Sequence, residues 1–282
     1  SDTRSYSALA THKAEHVEIK NCSFWSSEHG VAACYSNNIT TENCSVNGCK
    51  YGIYIGPDKD SVVRNNTIRD CGIGVDLDVY VTGSTQMYTY RTNISENTIE
   101  NCGRGIFTDR VIDCVIRNNT VKNSSRYGFS ISGSQGCEIS NNRIVGRSYS
   151  EIDKYNYGIR VSESQELDIK NNEMKSCGLY FETHDDYESE YYESHDIEGN
   201  RINSESLYFR VSKKPLNITS EKGQIILINC TDVNIEDQNI GNCSPGVQII
   251  ECSKVNIDSI SVKSCYKGLD IHSSCDLKDL NL

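Results

Sequence analysis

The chain has 282 residues, 39 Asp and Glu against 28 Lys and Arg, a net charge of −11 and 37% hydrophobic residues. That acidic balance, with no Lys/Arg-rich stripe, argues against a nucleic-acid partner, because the field repels phosphate. No apolar run reaches the ~18 residues of a membrane span, so none is expected.

In chain order, one phrase recurs. It reads VEIKNCSF at 17–24, ITTENCSV at 39–46, SVVRNNTI at 61–68, TNISENTI at 92–99 and CVIRNNTV at 114–121. It continues as CEISNNRI at 137–144, LDIKNNEM at 167–174, HDIEGNRI at 195–202, VNIEDQNI at 233–240 and VNIDSISV at 255–262. Successive phrase ends lie 22, 22, 31, 22, 23, 30, 28, 38 and 22 residues apart. A 22-residue unit with insertions is a solenoid signature.

Six residues after most phrase ends a Gly opens a short alternating run: GVAAC at 30–34, GIYIG at 52–56, GVDLD at 74–78, GIFTD at 105–109. GFSIS, GIRVS, GLYFE, GVQII and GLDIH follow, with SLYFR at 206–210 taking Ser for Gly. Period-two alternation without a helical period gives short strands between Asn- and Gly-rich bends. The spacing therefore predicts an all-β, right-handed parallel β-helix of about ten coils, a single domain over 1–282. The opening SDTRSYSALA shows no signal-peptide pattern, and the end at Leu282 falls inside an eleventh phrase (275–282), so a fragment of a longer protein is expected.

Two columns read as structural. Asn66, Asn97, Asn119, Asn142, Asn172 and Asn200 share one register, and stacked amides bonding from coil to coil explain them. Of the 14 Cys, Cys49, Cys71, Cys102, Cys177, Cys243 and Cys265 share another, predicting a ladder of buried free thiols rather than disulfides or zinc. Ten N-x-S/T sequons give slight support for an extracellular or cell-surface location.

The Gly-started strand supplies the outward face on which function is expected. Its second and fourth positions after Gly bring together Asp76, Asp78 and Asp109, the aromatic platforms Tyr54, Phe107, Tyr180 and Tyr208, and Arg160, Glu182 and Arg210, with Arg110 adjacent; Gln248 falls in the same outward column, far from the cluster. Asp78 and Asp109 fall in one column about 4.8 Å apart, so their like charges need a compensating cation or proton. Insertions at about 79–92, 145–157, 183–195 and 211–232 flank this strand and are rich in Tyr, as binding loops on a regular scaffold are. Carboxylates, Arg and Tyr in one groove form a carbohydrate vocabulary.

The stretches GIGVDLD (72–78) and RGIFTDRVIDCVIRNNTVKNSSRYGFSISGSQGCEISNN (104–142) resemble the β-helical catalytic module of mannuronan C5-epimerases and related alginate lyases. The resemblance places that family's first Asp on Asp76, the next-coil Asp on Asp109 and its Arg on Arg126, while Ile73 and Asp78 stand at its Tyr and His positions. It implies action on an acidic polysaccharide by C5-proton abstraction, as lyase or epimerase. Asp76, Asp78 and Asp109 become candidate Ca²⁺ ligands and Arg126, Arg160, His184 or a loop Tyr candidate bases. A non-catalytic surface, adhesin or glycan-binding module is the alternative, and a glycoside hydrolase using Asp78 and Asp109 the third reading. The oligomeric state is left open.

Overall fold

The computed structural model describes residues 7–79, 87–147, 157–183, 190–272, 275 and 277–280. The chain winds as a right-handed parallel β-helix built from three short strands per turn. A front sheet stacks the Gly-started strands Ser7–His12, His29–Cys34, Tyr51–Ile55, Ile73–Leu77, Arg104–Asp109, Tyr127–Ser132, Tyr157–Ser162 and Leu179–Phe181. The recurring phrase folds as two strands, one in each of the other two sheets, with a left-handed residue between them such as Asn65 (φ 54°) or Asn118 (φ 55°). Asn tolerates that region better than other side chains, which is why the phrase is written with it.

Val31, Ile53, Val75, Ile106, Phe129, Ile159 and Leu179 fill the axis with no exposure. The Gly that opens each front strand has a steric cause. A Cβ on Gly74 would sit 2.6 Å from the Gly105 carbonyl and 2.6 Å from Ile99 Cγ2 of the coil wall.

The Asn column is a buried ladder. Asn66 donates from its backbone N and its Nδ2 to Asn97 Oδ1 at 3.0 Å, and Asn97 does the same to Asn119. Each Nδ2 also donates to a backbone carbonyl, as Asn97 does to Val63 at 2.9 Å. The pattern runs to Asn200. The Cys column is as expected in its chemistry: all 14 Cys are free thiols, and Cys49, Cys71, Cys102, Cys177 and Cys243 are buried. Cys265 is half-exposed instead, because it lies near the far end of the stack.

One sequence expectation is overturned. The segment 211–232 is not an insertion but a further coil, with strands Leu216–Ile218 and Gln224–Ile228. It follows a break in the stack. After Arg201–Ile202 the chain reverses into Glu205–Val211, pairing antiparallel (Ile202↔Glu205), and that strand leaves the front sheet. Gln224–Ile228, Val247–Ile250 and Leu269–His272 stack on it in parallel. Eight coils therefore precede the break and a four-stranded second stack follows it.

The front sheet ends at Leu179–Phe181, and side chains take the place of its next strand. Gln224 receives the Leu179 N–H (3.0 Å) and donates to the Leu179 carbonyl (2.7 Å). Gln248 does the same for Phe181, at 3.2 and 2.8 Å. Two primary amides thus satisfy an edge that would otherwise be left with unpaired backbone groups. Gln248, expected on the outward face, is fully buried for this reason.

Candidate functional site

The outward column of the front sheet follows the expected register from coil to coil: Ala32, Tyr54, Asp76, Phe107, Ser130, Arg160 and Tyr180. Asp76 is its centre. Its neighbours in the sheet are Tyr54 and Phe107, and it is only 2% exposed, so it lies sunk in the face rather than free in a groove. Its Oδ1 is buried without a hydrogen-bond partner. Burial first, and then the Asp78 charge, push its carboxyl up to about 8, with Asp109 adding to the rise and Arg104 opposing it. Asp76 is thus a neutral acid at neutral pH, able to donate a proton.

Asp78 is half-buried and raised by burial and by Asp109. Asp109 differs: its Oδ2 accepts two bonds from Arg110, at 2.6 and 3.0 Å. The cluster thus holds carboxyls in opposed environments within two coils. Tyr54 donates to the Asp78 carbonyl (3.3 Å), and burial raises its phenol, which keeps it protonated and unavailable as a base.

Arg160 and Glu182 form an ion pair two coils further along, and Arg160 also donates to Ser130 Oγ (3.2 Å) and lies 5.5 Å from the Tyr127 ring centre. These contacts hold the guanidinium in place. Tyr180 stacks on Tyr157 at 4.3 Å, and its hydroxyl receives the Lys267 ammonium at 3.3 Å; at 7% exposure it offers little ring to a ligand. Tyr208 and Arg210 are not on this face. Their strand belongs to the second stack, where Arg210 sits over Tyr208 at 4.5 Å. The cause is the strand that departs after Ile202, which moves Tyr208 into register with Ile225 and Val247 instead of Tyr180. His184 lies outside the described residues, as do Tyr80, Tyr149, Tyr155 and Tyr187 of the insertions.

A third outward column escaped the sequence reading. The residue just before each Gly, His29, Tyr51, Ile73, Arg104, Tyr127 and Tyr157, lies in register along the same sheet. His29 stacks on Tyr51 at 4.9 Å and Tyr127 on Tyr157 at 6.0 Å. Arg104 lies between these aromatic runs, over Phe107 at 4.6 Å. The signal was present as HG, YG, IG, RG, YG and YG pairs, but counting outward positions only forward from the Gly leaves the residue before it unassigned. Beside this column is a cleft of about 420 Å³ lined by Lys50, Tyr51, Ile73, Arg104, Ser125 and Arg126. It brings Arg126 together with Lys50, which pairs with Glu28 at 3.2 Å, and with Arg104, the one of the three whose charge reaches Asp76 and Asp78.

Among the described residues no group of three or more His, Cys, Asp or Glu is arranged to hold a metal ion, the three Asp included. Among the same residues no helix is long and apolar enough to cross a membrane.

No curated protein matches the chain. Among solved structures, DFA-IIIase from Arthrobacter chlorophenolicus A6 is 12% identical, with a TM-score of 0.50 over 87% of this chain and 64% of that one. The surface protein and adhesin PfbA of Streptococcus pneumoniae is 11% identical, with a TM-score of 0.46 over 89% and 68%. The A-module of Azotobacter vinelandii mannuronan C-5 epimerase AlgE4 is 12% identical, with a TM-score of 0.41 over 94% and 62%. At such identities the likeness is one of fold. The family model for a right-handed β-helix region matches residues 7–174, more than half the chain, and the protein belongs to that family.

Proposed function

We propose that the front face binds an acidic, uronate-containing polysaccharide outside the cell or at its surface and acts on it by C5-proton abstraction, as a lyase or C5-epimerase. The observation that carries this reading is Asp76, a buried carboxyl raised by burial and by Asp78 and linked through Arg104 to the cleft that also holds Arg126. A uronate C5–H becomes acidic only when its carboxylate is neutralised. The cleft cations and the Asp76 proton would supply that neutralisation, and Asp78, with its raised basicity, would take the C5 proton. The electron pair then either expels the C4 oxygen, leaving a C4=C5 double bond, or is reprotonated from the opposite face. Tyr51, Tyr127 and Phe107 give apolar faces for sugar rings. The motif resemblance at Asp76, Asp109 and Arg126 supports the same reading.

A second reading has its own observation. Asp76 is raised while Asp109 is paired with Arg110, and two carboxyls in unlike environments are the arrangement of glycoside hydrolysis. The test is a panel of uronans assayed with wild type, Asp76→Asn and Asp109→Ala. The expected result is unsaturated or epimerised uronate with wild type, lost at least ~100-fold in both variants. New reducing ends without unsaturation would favour the hydrolase, and binding without turnover the non-catalytic module.

A further inference from the structure

On the sheet that carries Arg201–Ile202, the outward cations of Thr67–Arg69 and Thr120–Lys122 are paired. Arg69 and Lys122, on either side of Glu100, both pair with it, at 3.0 and 3.2 Å. The last three strands of this sheet before the stack break differ. Arg143, Glu173 and Arg201 share one column (Arg143↔Glu173↔Arg201), yet among the described residues neither Arg forms an ion pair, nor does the neighbouring Lys175. These three cations line a cleft of about 300 Å³, floored by the buried Met174 and walled by Asn203 and Ser204.

The wall is rigid. It is the hairpin by which the chain reverses between the two stacks, with Asn203 and Ser204 both in the left-handed region (φ 51° and 77°). Asn203 receives the Ser176 N–H at 2.8 Å and donates to the carbonyls of Gly241 (2.8 Å) and Asn242 (3.1 Å), tying both stacks together at the cleft. On the far side of Asn203 a second depression continues with Lys222 and Lys263. Five cations against Glu173 and Glu205 therefore follow one path in a chain whose net charge is −11.

We infer that this cleft is a second glycan site, taking the carboxylate groups of an acidic polysaccharide on a sheet different from the front face. Arg143 and Arg201 stand two coils apart, about 10 Å at the parallel-strand spacing, so they present separate charges to a ligand extended along the solenoid axis. Guanidinium forks suit planar carboxylates, and Lys175, Lys222 and Lys263 extend the track past the stack break. The overall negative field disfavours the far denser charge of a nucleic acid, which makes the sparser uronate chain the better occupant. The site extends the substrate class of the proposed function but does not depend on its chemistry.

The test is calorimetric titration of an oligogalacturonate into wild type, into Arg143→Gln/Arg201→Gln and into Arg126→Gln. The double variant, whose side chains are exposed, should keep its unfolding midpoint and lose affinity about tenfold. Arg126→Gln should leave this site's binding unchanged and weaken only binding at the front face. If the double variant binds as wild type does while Arg126→Gln does not, the second site is refuted and the front-face reading stands. If the double variant loses binding and Arg126→Gln behaves as wild type, the second site stands and the front-face reading falls. Binding of a DNA oligomer tighter than that of the oligogalacturonate would overturn the choice of ligand.

Discussion

The two stacks use the same turn-by-turn geometry but different means of holding it. Before the break, the bend column from Asn66 to Asn200 is an amide ladder in which each Asn up to Asn172 bonds to the Asn of the next coil. After it the same register holds Gln238, whose Oε1 is buried without a partner, and then Ile260. The second stack places its amides outside instead, with Asn256 Nδ2 donating to Asn234 Oδ1 at 2.8 Å in a half-exposed row. A buried ladder stabilises because each lost member strands several groups, whereas a surface row exchanges with water at little cost. The first stack also carries the acid cluster, so the stiffer region is the one that must hold opposed carboxyls in place.

The largest expected effect breaks this contrast directly. Asn119→Ala removes the acceptor for Asn97 N and Nδ2 and the donor to Ile94 O and Asn142. It should cost about 4 kcal/mol in urea unfolding, while Gln238→Ala should cost under ~1 kcal/mol. Equal losses would show that the stacks are alike. Next comes the Gly column. Gly74→Ala meets two atoms at 2.6 Å and should cost about 3 kcal/mol, whereas at Gly268 the nearest atom is 3.6 Å away and the same change should stay within ~0.5 kcal/mol.

Smaller still is the junction between the regions. Gln248→Ala strands the Phe181 N–H and carbonyl at the front-sheet edge, and about 2 kcal/mol should be lost, with faster amide exchange confined to 179–181. The pH prediction concerns Asp76. Its folded pKa of about 8 lies above the ordinary 3.8, so the stabilisation from keeping it neutral is complete below about pH 4 and is lost as pH rises through 8. Asp76→Asn should flatten the unfolding midpoint over that window relative to wild type. An unchanged slope would mean that Asp76 ionises freely.

The repeat phrase made the first stack legible because each coil repeats the same constraints: a left-handed Asn, an Asn amide and a Gly under a crowded wall. The second stack was harder to read for a physical reason. Gln224–Ile228 is apolar at four successive positions, so it lacks the apolar–polar alternation of runs such as GVDLD and GIRVS, and the 38-residue gap between phrase ends concealed LNITS and GQIIL as a coil. That error put Tyr208 and Arg210 on a face they do not share. Asp76, Asp78 and Asp109 were legible from their register, but the burial of Asp76 was not, since it depends on neighbours in adjacent coils. Arg104 and the Tyr column were missed because they precede the Gly from which the outward positions were counted.

The most direct test of the central claim follows the C5 hydrogen. A uronan that the wild-type protein turns over in D2O should be analysed by proton NMR, beside the same reaction with Asp76→Asn. Lyase or epimerase action requires the C5–H bond to break, so product units should carry deuterium or a double bond at C5, and the variant should yield neither. Products that keep C5 protium would contradict the account and assign the front face to hydrolysis.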